Sequence, residues 1–430
     1  MKFISLTEAI KKGKGKVAVR GWVHRERGSN KMKFIVLRDY SDLVQCVLHY
    51  EDFSKQWDEI DKIQVEASVE VEGKIKADKR APTGFEIQVS KIKLVGKSEE
   101  FPIQKDLNEE LLGDRRHLWL RSQKMSSILK IRHTVLQAIR EHWIKNGFYE
   151  YHSPTLIGSP AEGGSTMFKA DYFGKPIYLA QTWQLHAEPG IFSLEKIFTI
   201  QPSFRAEKSK TSRHLTEYWH AEMEVAWEDF NYLQNDAEAL MKHIIKKVLS
   251  ANKKELKFLK RDIKKLQPSL KKRFPRLTYD EVLKVLKQKK KINIKWGKDL
   301  RTIEEDKLSE LYDTPIIVTH YPKEVKAFYM KEEIKNAKVV LGFDMIGPEG
   351  YGELIGASQR EEDINKLKKN LEAQGEDVSK YDFYFDTRRY GSVPHGGFGM
   401  GVERVISWIC GLDNIKDAVA FPRTMTRMSP

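Results

Sequence analysis

Phe204-Arg205-Ala206-Glu207, then a Lys/Ser/Thr-rich stretch and Arg213-His214-Leu215-Thr216-Glu217-Tyr218, make up one of two segments that decide the fold; the other is Gly397-Phe398-Gly399-Met400-Gly401-Val402-Glu403-Arg404. If the first is extended, strand alternation puts Arg205 and Glu207 on one face. An arginine on a rigid strand suits a reaction in which charge builds on a phosphate, because positioned cations supply most of that catalysis. Tyr218 offers an aromatic face to a base. In the second segment, glycines at period two leave one strand face bare, so a flat base or a phosphate can approach the backbone. Alone, that run reads as a packing feature. Followed by Glu403-Arg404 and paired with the upstream arginine, it points to a nucleotide site.

The flanks supply the framework. Ile128, Ile131, Val135, Ile139 and Trp143 recur at three-to-four spacing and share one helix face. Gly147-Phe148 ends that helix, and a strand leads to Ser153-Pro154. Lys196-Ile197-Phe198-Thr199-Ile200 reads as a strand, and strands resume near Ile316 and Val339. Residues 235–290 read as helical and basic, with Lys253, Lys254, Lys257 and Lys260 close together: a solvated face, or contact with RNA phosphates. Residues 1–97 alternate polar and apolar in five short runs near residues 17–23, 34–39, 44–48, 64–71 and 85–89. That pattern suggests a small Greek-key barrel such as the OB-fold, with Trp22 and Val36 in its core. The expected division is this barrel, a linker over 98–120, and a catalytic domain over 121–430 with a basic helical insertion around 235–335.

A chain of 430 residues favours two or three domains. Its net charge of +14 favours a polyanionic partner, nucleic acid first. Cys46 and Cys410 stand between apolar neighbours and read as buried hydrophobes, which argues against a disulfide framework or a zinc site. No run approaches the roughly 20 apolar residues of a membrane span, and no signal peptide is evident. A cytoplasmic protein is expected.

The two segments together resemble motifs 2 and 3 of the class II aminoacyl-tRNA synthetases, and Gly147-Phe148 leading to Ser153-Pro154 resembles motif 1. Further segments are similar to the archaeal type of the aspartyl/asparaginyl branch: Ala161-Glu162-Gly163-Gly164-Ser165, Gln181-Thr182-Trp183-Gln184-Leu185-His186-Ala187-Glu188, Tyr351-Gly352-Glu353-Leu354-Ile355-Gly356, Ser358-Gln359-Arg360 and Phe421-Pro422-Arg423. The resemblance implies an α+β multidomain fold: an N-terminal OB-fold barrel and an antiparallel catalytic sheet flanked by helices. It also implies ATP, Mg²⁺, a homodimer, and transfer of an activated amino acid to the terminal ribose of a tRNA.

The roles it implies are specific. Arg205 and Arg404 are catalytic and hold ATP together with Glu207, Arg213, His214, Leu215, Tyr218, Gly401, Glu403 and Glu353. Glu353 and Asp344 hold the metal. Glu162 lies in the loop over the amino acid, Gln184 meets its α-amino group, Glu222 and Glu224 stand behind motif 2, and Arg360 clamps the side chain. Phe34 stacks on an anticodon base, Gln45 reads a base edge, Arg27 lies near the loop, and Arg80 in the 76–84 loop is a candidate reader. Gly356 departs from a metal-binding serine common in relatives, and Trp183 is larger than expected there.

An aspartate side chain only accepts hydrogen bonds, so its site needs two cations. The aspartyl members carry a lysine where this chain has Ala187, and Glu188 follows. The expectation is that Arg360 donates to an amide oxygen while Glu188 accepts from the amide NH₂ and repels a carboxylate, which selects asparagine. Three alternatives are an aspartate–tRNA ligase of relaxed specificity, an asparagine synthetase derived from the same core, and a non-catalytic tRNA-binding paralogue. Ala187 and Glu188 count against the first, residues 1–97 against the second, and the intact Arg205, Glu207, Glu353 and Arg404 against the third.

Overall fold

Alternating apolar residues build the first of two units into which the computed structural model divides, Met1–Arg115 and Arg116–Pro430. The structure describes residues 1–103, 108–158, 167–208 and 213–430. In the first unit, β1 (Gly15–Ser29), β2 (Met32–Arg38), β3 (Leu43–His49), β4 (Ser68–Ala77) and β5 (Phe85–Gly96) close a barrel in the order β1-β2-β3-β5-β4. Val19, Val23, Ile35, Leu37, Val44, Cys46 and Ile87 fill it. The placement of Trp22 and Val36 in the core is corrected. The inward phase of β1 runs through Val17, Val19 and Val23, so Trp22 points outward and is 46% exposed. Val36 falls on the outward phase of β2 and is half-buried. The fourth strand begins at Ser68 rather than Gln64. Glu66 takes φ 69° in a turn closed by the Ala67 N–H on the Gln64 carbonyl, and its carboxylate accepts both arms of Arg38.

The stretch expected as a linker carries two short helices, Glu109–Asp114 and Arg116–Trp119. The Asn108 side chain caps the first by accepting from the Glu110 N–H.

The second unit is built on one eight-stranded sheet. In chain order its strands are β6 (Tyr149–Glu150), β7 (Lys196–Phe204), β8 (Glu217–Ala226), β9 (Arg276–Thr278), β10 (Ile316–Thr319), β11 (Gly342–Gly347), β12 (Gly352–Gln359) and β13 (His395–Gly401). Across the sheet they run β9-β10-β11-β12-β13-β8-β7-β6, antiparallel from β10 to β7 and parallel only in the end pairs. Helices α1 (Gln123–Lys145), α2 (Gln184–Leu194), α3 (Phe230–Ala251), α4 (Thr302–Ser309), α5 (Asp382–Arg389) and α6 (Val402–Cys410) complete the frame used below.

Helices α1, α3 and α6 contribute to one core with the sheet. The face of α1 read from sequence is the buried one. Ile128, Ile131, Val135, Ile139 and Trp143 are fully covered, and the Trp143 ring meets Phe198 and Phe398 at 5.1 and 5.9 Å. The expected basic insertion divides differently. Its first part lies in α3, whose Leu240, Met241, Ile244, Ile245 and Val248 belong to this core. Its later part supplies β9 and β10 to the main sheet. Only past Ala251 do the lysines form an exposed run, at 253, 254, 257 and 260. Cys46 and Cys410 are free and buried. No helix among the described residues is long and apolar enough to cross a membrane.

Candidate active site

Register across four strands makes the floor of the site. Met345, Ile355, Met400 and Ala221 lie side by side and point into the helical core. Pleating therefore turns the adjacent row, Asp344, Gly356, Gly399 and Glu222, to the other side. Two glycines thus form a low floor with a carboxylate at each end. Two of the motif glycines also admit side chains of the protein itself. A methyl group on Gly399 would lie 2.4 Å from His220 Nε2, and one on Gly397 would lie 2.2 Å from Glu224 Oε2. His220 and Glu224 thus press on the strand at these two positions, at Gly397 together with the Met223 carbonyl at 2.1 Å, while Gly399 still borders the cavities described next. Only Gly401 keeps its space, with the Arg404 side chain 3.9 Å away.

Two cavities meet over this floor. The first is lined by Arg213, His214, Leu215, Tyr218, Gly401 and Arg404; the second by Gln184, Glu222, Glu224, Lys326, Asp344 and Arg360. Arg205, His220, Glu353 and Gly399 line both. β7 ends at Phe204, but the Arg205 N–H still donates to the Thr216 carbonyl at 2.9 Å, which keeps Arg205 in register. Its guanidinium lies 5.6 Å from the centre of the Tyr218 ring. Arg404, at the start of α6, donates to the Glu353 carbonyl at 2.5 Å. Burial and the cations around it, Arg404 first, push the His214 imidazole below its ordinary value. Thr216 in turn donates to the Arg423 carbonyl, which anchors the Phe421-Pro422-Arg423 segment on motif 2.

Two expected nucleotide residues stand apart from the others. Glu207 lies beyond the strand, lines neither cavity, and sits 3.9 Å from Arg205. Glu403 reaches the wall of the first cavity, but one oxygen accepts from Arg132 at 2.7 Å and the other from the Trp219 N–H at 3.0 Å. It joins α1 and β8 to α6.

The second cavity ends on a buried polar cluster. Arg360 donates through Nε and Nη2 to the two Glu224 oxygens, at 3.0 and 2.8 Å, and through Nη1 to Ser358. Gln184 directs its amide nitrogen to Glu188, so its amide oxygen is the end left to accept from an ammonium group. Glu222 accepts from the Thr182 hydroxyl and the Trp183 N–H. Burial pushes its carboxyl up, but His220 and these donors outweigh it and hold the group below its ordinary value. Trp183 is 1% exposed; its ring packs edge-on against Tyr151, in one cluster with Ala187 and Ile191, with one edge on the cavity.

Glu188 is the main correction at this end. It lines neither cavity and is fully buried, accepting from Gln184, Tyr384, Arg388 and His395. Gln184 opens α2, so Glu188 stands one helical turn behind it, away from the cavity. The carboxylate in contact with Arg360 at the wall is Glu224. Ala187 packs inward with Trp183 and Ile191 and lines no cavity. Glu162 and its loop lie outside the described residues.

Asp344 and Glu353 converge above Gly356: a methyl group there would meet Glu353 Oε1 at 2.9 Å and Asp344 Oδ1 at 3.9 Å. Burial pushes the Asp344 carboxyl up to about 6, against the pull of Lys326, whose Nζ lies 2.6 Å from Oδ2; the Glu353 charge adds to the rise. Burial together with Glu353 and Asp344 pushes Glu305, on α4, up to about 8. Hard oxygen donors with surplus negative charge are the donor set that Mg²⁺ takes.

Residues 108–425 match the family described as tRNA synthetases class II (D, K and N), and residues 17–95 match the OB-fold nucleic acid binding domain. The chain belongs to the class II tRNA synthetases. Among the synthetases it resembles is an asparagine–tRNA ligase of Thermoplasma acidophilum, 46% identical over 96% of both chains. The asparaginyl-tRNA synthetase of Pyrococcus horikoshii complexed with asparaginyl-adenylate is similar in structure, with TM-score 0.96, 42% identity and full coverage of both chains. A putative aspartyl-tRNA synthetase from Leishmania major shares the architecture at 25% identity and TM-score 0.89, covering 100% of this chain and 95% of that one.

In this synthetase the expected anticodon readers lie in the barrel. Arg27 and Phe34 are register partners on β1 and β2, and the guanidinium lies 4.8 Å from the ring centre. Phe34 takes the outward phase of β2, so its partly exposed ring lies outside the barrel core. Gln45 donates to Glu86 at 3.1 Å. Arg80 is exposed and fastened to Asp78, in the loop between β4 and β5. Sequence reasoning missed His220, Lys326, Asp306, Arg388 and His395. His220 was within reach, since period two from Tyr218 to Glu222 places it on the same strand face. Lys326 has no such signal; it arrives from a loop through its contact with Asp344.

Proposed function

We propose that the chain is an asparagine–tRNA ligase. Asparagine's α-carboxylate attacks the α-phosphate of ATP, pyrophosphate leaves, and the asparaginyl group passes to the 3′-terminal ribose of a tRNA. The observation that carries this reading is the Glu224–Arg360 pair at the wall of one cavity, beside a second cavity lined by Arg205, Tyr218 and Arg404. A bidentate arginine–carboxylate pair still offers a donor edge and an acceptor edge, which matches an amide. A carboxylate side chain would compete with Glu224 for Arg360 and be repelled by it.

The roles follow from position. Arg205 lies where the cavities meet, so it faces the charge that develops on the α-phosphate. Tyr218 and Arg404 hold the nucleotide in the first cavity, with Arg213 and His214 at its phosphates. The Gln184 amide oxygen accepts from the α-ammonium group. Glu353 and Asp344 would hold Mg²⁺, which neutralises phosphate charge when bound. Phe34 and Arg27 stack and pair with anticodon bases, Gln45 reads an edge, and Arg80 acts from its loop.

A homodimer in the cytoplasm completes the proposal. Ile144, Tyr149 and Leu156, at the end of α1 and in the residues after it, are large apolar side chains each more than 40% exposed, and burial against a second copy would cover them. Light scattering on purified protein is expected to give twice the chain mass; the mass of one chain removes the dimer from the proposal.

ATP–pyrophosphate exchange with asparagine against aspartate tests the assignment. Exchange driven by asparagine is expected. Exchange driven by aspartate alone overturns it.

A further inference from the structure

Behind the wall of the amino-acid cavity lies a cluster that touches no ligand space. Glu188 is fully buried, and its Oε2 accepts from Arg388 Nη1 at 2.5 Å and faces His395 Nε2 at 3.1 Å. Its Oε1 accepts from Gln184 and Tyr384 and lies 3.9 Å from Arg360 Nε. Arg388 also donates to the Glu361 carbonyl at 3.0 Å, which fixes the backbone next to Arg360. Glu188, Glu224 and His395 lie close enough together to share a metal ion. Each carboxylate, however, already has its own guanidinium, Arg388 on Glu188 and Arg360 on Glu224.

We propose that the Glu188–Arg388 pair is a specificity determinant acting from outside the cavity, keeping Arg360 in a field of two carboxylates so that only an uncharged amide side chain is accepted. The inference rests on the asparagine reading above. Each cation at this end is already paired. Arg360 faces Glu224 directly and Glu188 at 3.9 Å, and Arg388 is closed off behind Glu188. An incoming carboxylate would be a third negative group around one guanidinium, and repulsion between charges this close is strong beside a buried cluster. An amide adds no charge and needs only one donor and one acceptor. Glu188 also holds the Gln184 amide nitrogen, so it orients the oxygen that meets the α-ammonium group. Glu188 and Arg388 are positioning residues, since neither lines the cavity.

The test compares kcat/KM for asparagine and for aspartate in pyrophosphate exchange, in the wild-type protein, Glu188→Gln and Arg388→Met. Glu188→Gln keeps the shape and removes the charge. It is expected to lower the asparagine-to-aspartate ratio by roughly ten- to hundredfold, the range of coupling between buried neighbours. Arg388→Met removes the guanidinium that pairs most closely with Glu188 and leaves more of its charge facing Arg360, so aspartate should lose more than asparagine and the ratio should rise. The opposite signs separate a charge effect from loss of structure, and either variant tests the proposal if the other does not fold. Proportional loss with both substrates in Glu188→Gln, or a falling ratio in Arg388→Met, overturns it. Wild-type protein that uses aspartate and not asparagine overturns the asparagine reading instead, and that arm is read before any variant is made.

Discussion

At the scale of single residues, the glycines of motif 3 decide which side chains reach the floor. Gly399 exists so that the His220 ring can lie across it, since a methyl group would sit 2.4 Å from Nε2. Gly399→Ala is expected to cost about 1–3 kcal/mol in urea unfolding, the range for overpacking a full site. Adding His220→Ala removes the ring that collides, so the double variant should lose less than the sum of the single losses. Simple additivity would mean that the alanine is absorbed elsewhere. Gly356 has a parallel role. Its missing side chain lets Glu353 and Asp344 approach the strand backbone.

At the scale of elements, α4 brings a charge to the first cavity from far along the chain. Asp306 accepts both arms of Arg213, at 2.9 and 3.0 Å, and Arg213 lines the first cavity. Both partners are about one-third exposed, so the pair is worth little in stability but fixes where the guanidinium waits. Asp306→Asn should raise KM for ATP by ~2–5-fold and leave KM for asparagine unchanged. Equal changes in both constants would show a general disturbance of the unit. Helix α3 shows how an element can be misread. The lysines that follow it made residues 235–290 look like one basic face, while the apolar residues of the helix itself are buried in the central core.

At the scale of the molecule, the chain pairs an OB-fold unit with a synthetase unit and carries a net charge of +14. Charge of that sign serves a polyanion, and counterion release makes such binding depend steeply on salt. Affinity for the asparagine-accepting tRNA should therefore fall by at least about tenfold between ~50 and ~200 mM salt, measured by filter binding. Asparagine activation without tRNA should change far less over the same range. A flat salt response for tRNA would mean that the basic surface does not meet the nucleic acid.

Sequence alone settled what depends on neighbours along the chain. The buried face of α1 follows from its spacing and the barrel strands from alternation, and the local motifs pointed to Arg205, Gln184, Glu353 and Arg404, which line the two cavities. Tertiary structure decided which carboxylate pairs with Arg360. Glu188 and Glu224 are both close in sequence to motif residues, yet α2 turns the first behind the wall while β8 turns the second onto it. It also decided that Glu403 braces the fold and that His220 and Glu224 lie against the glycines of the strand. The reason is physical. The partners of these groups lie tens to hundreds of residues away, as Arg388 does from Glu188, and strand register alone brings Asp344, Gly356, Gly399 and Glu222 into one row.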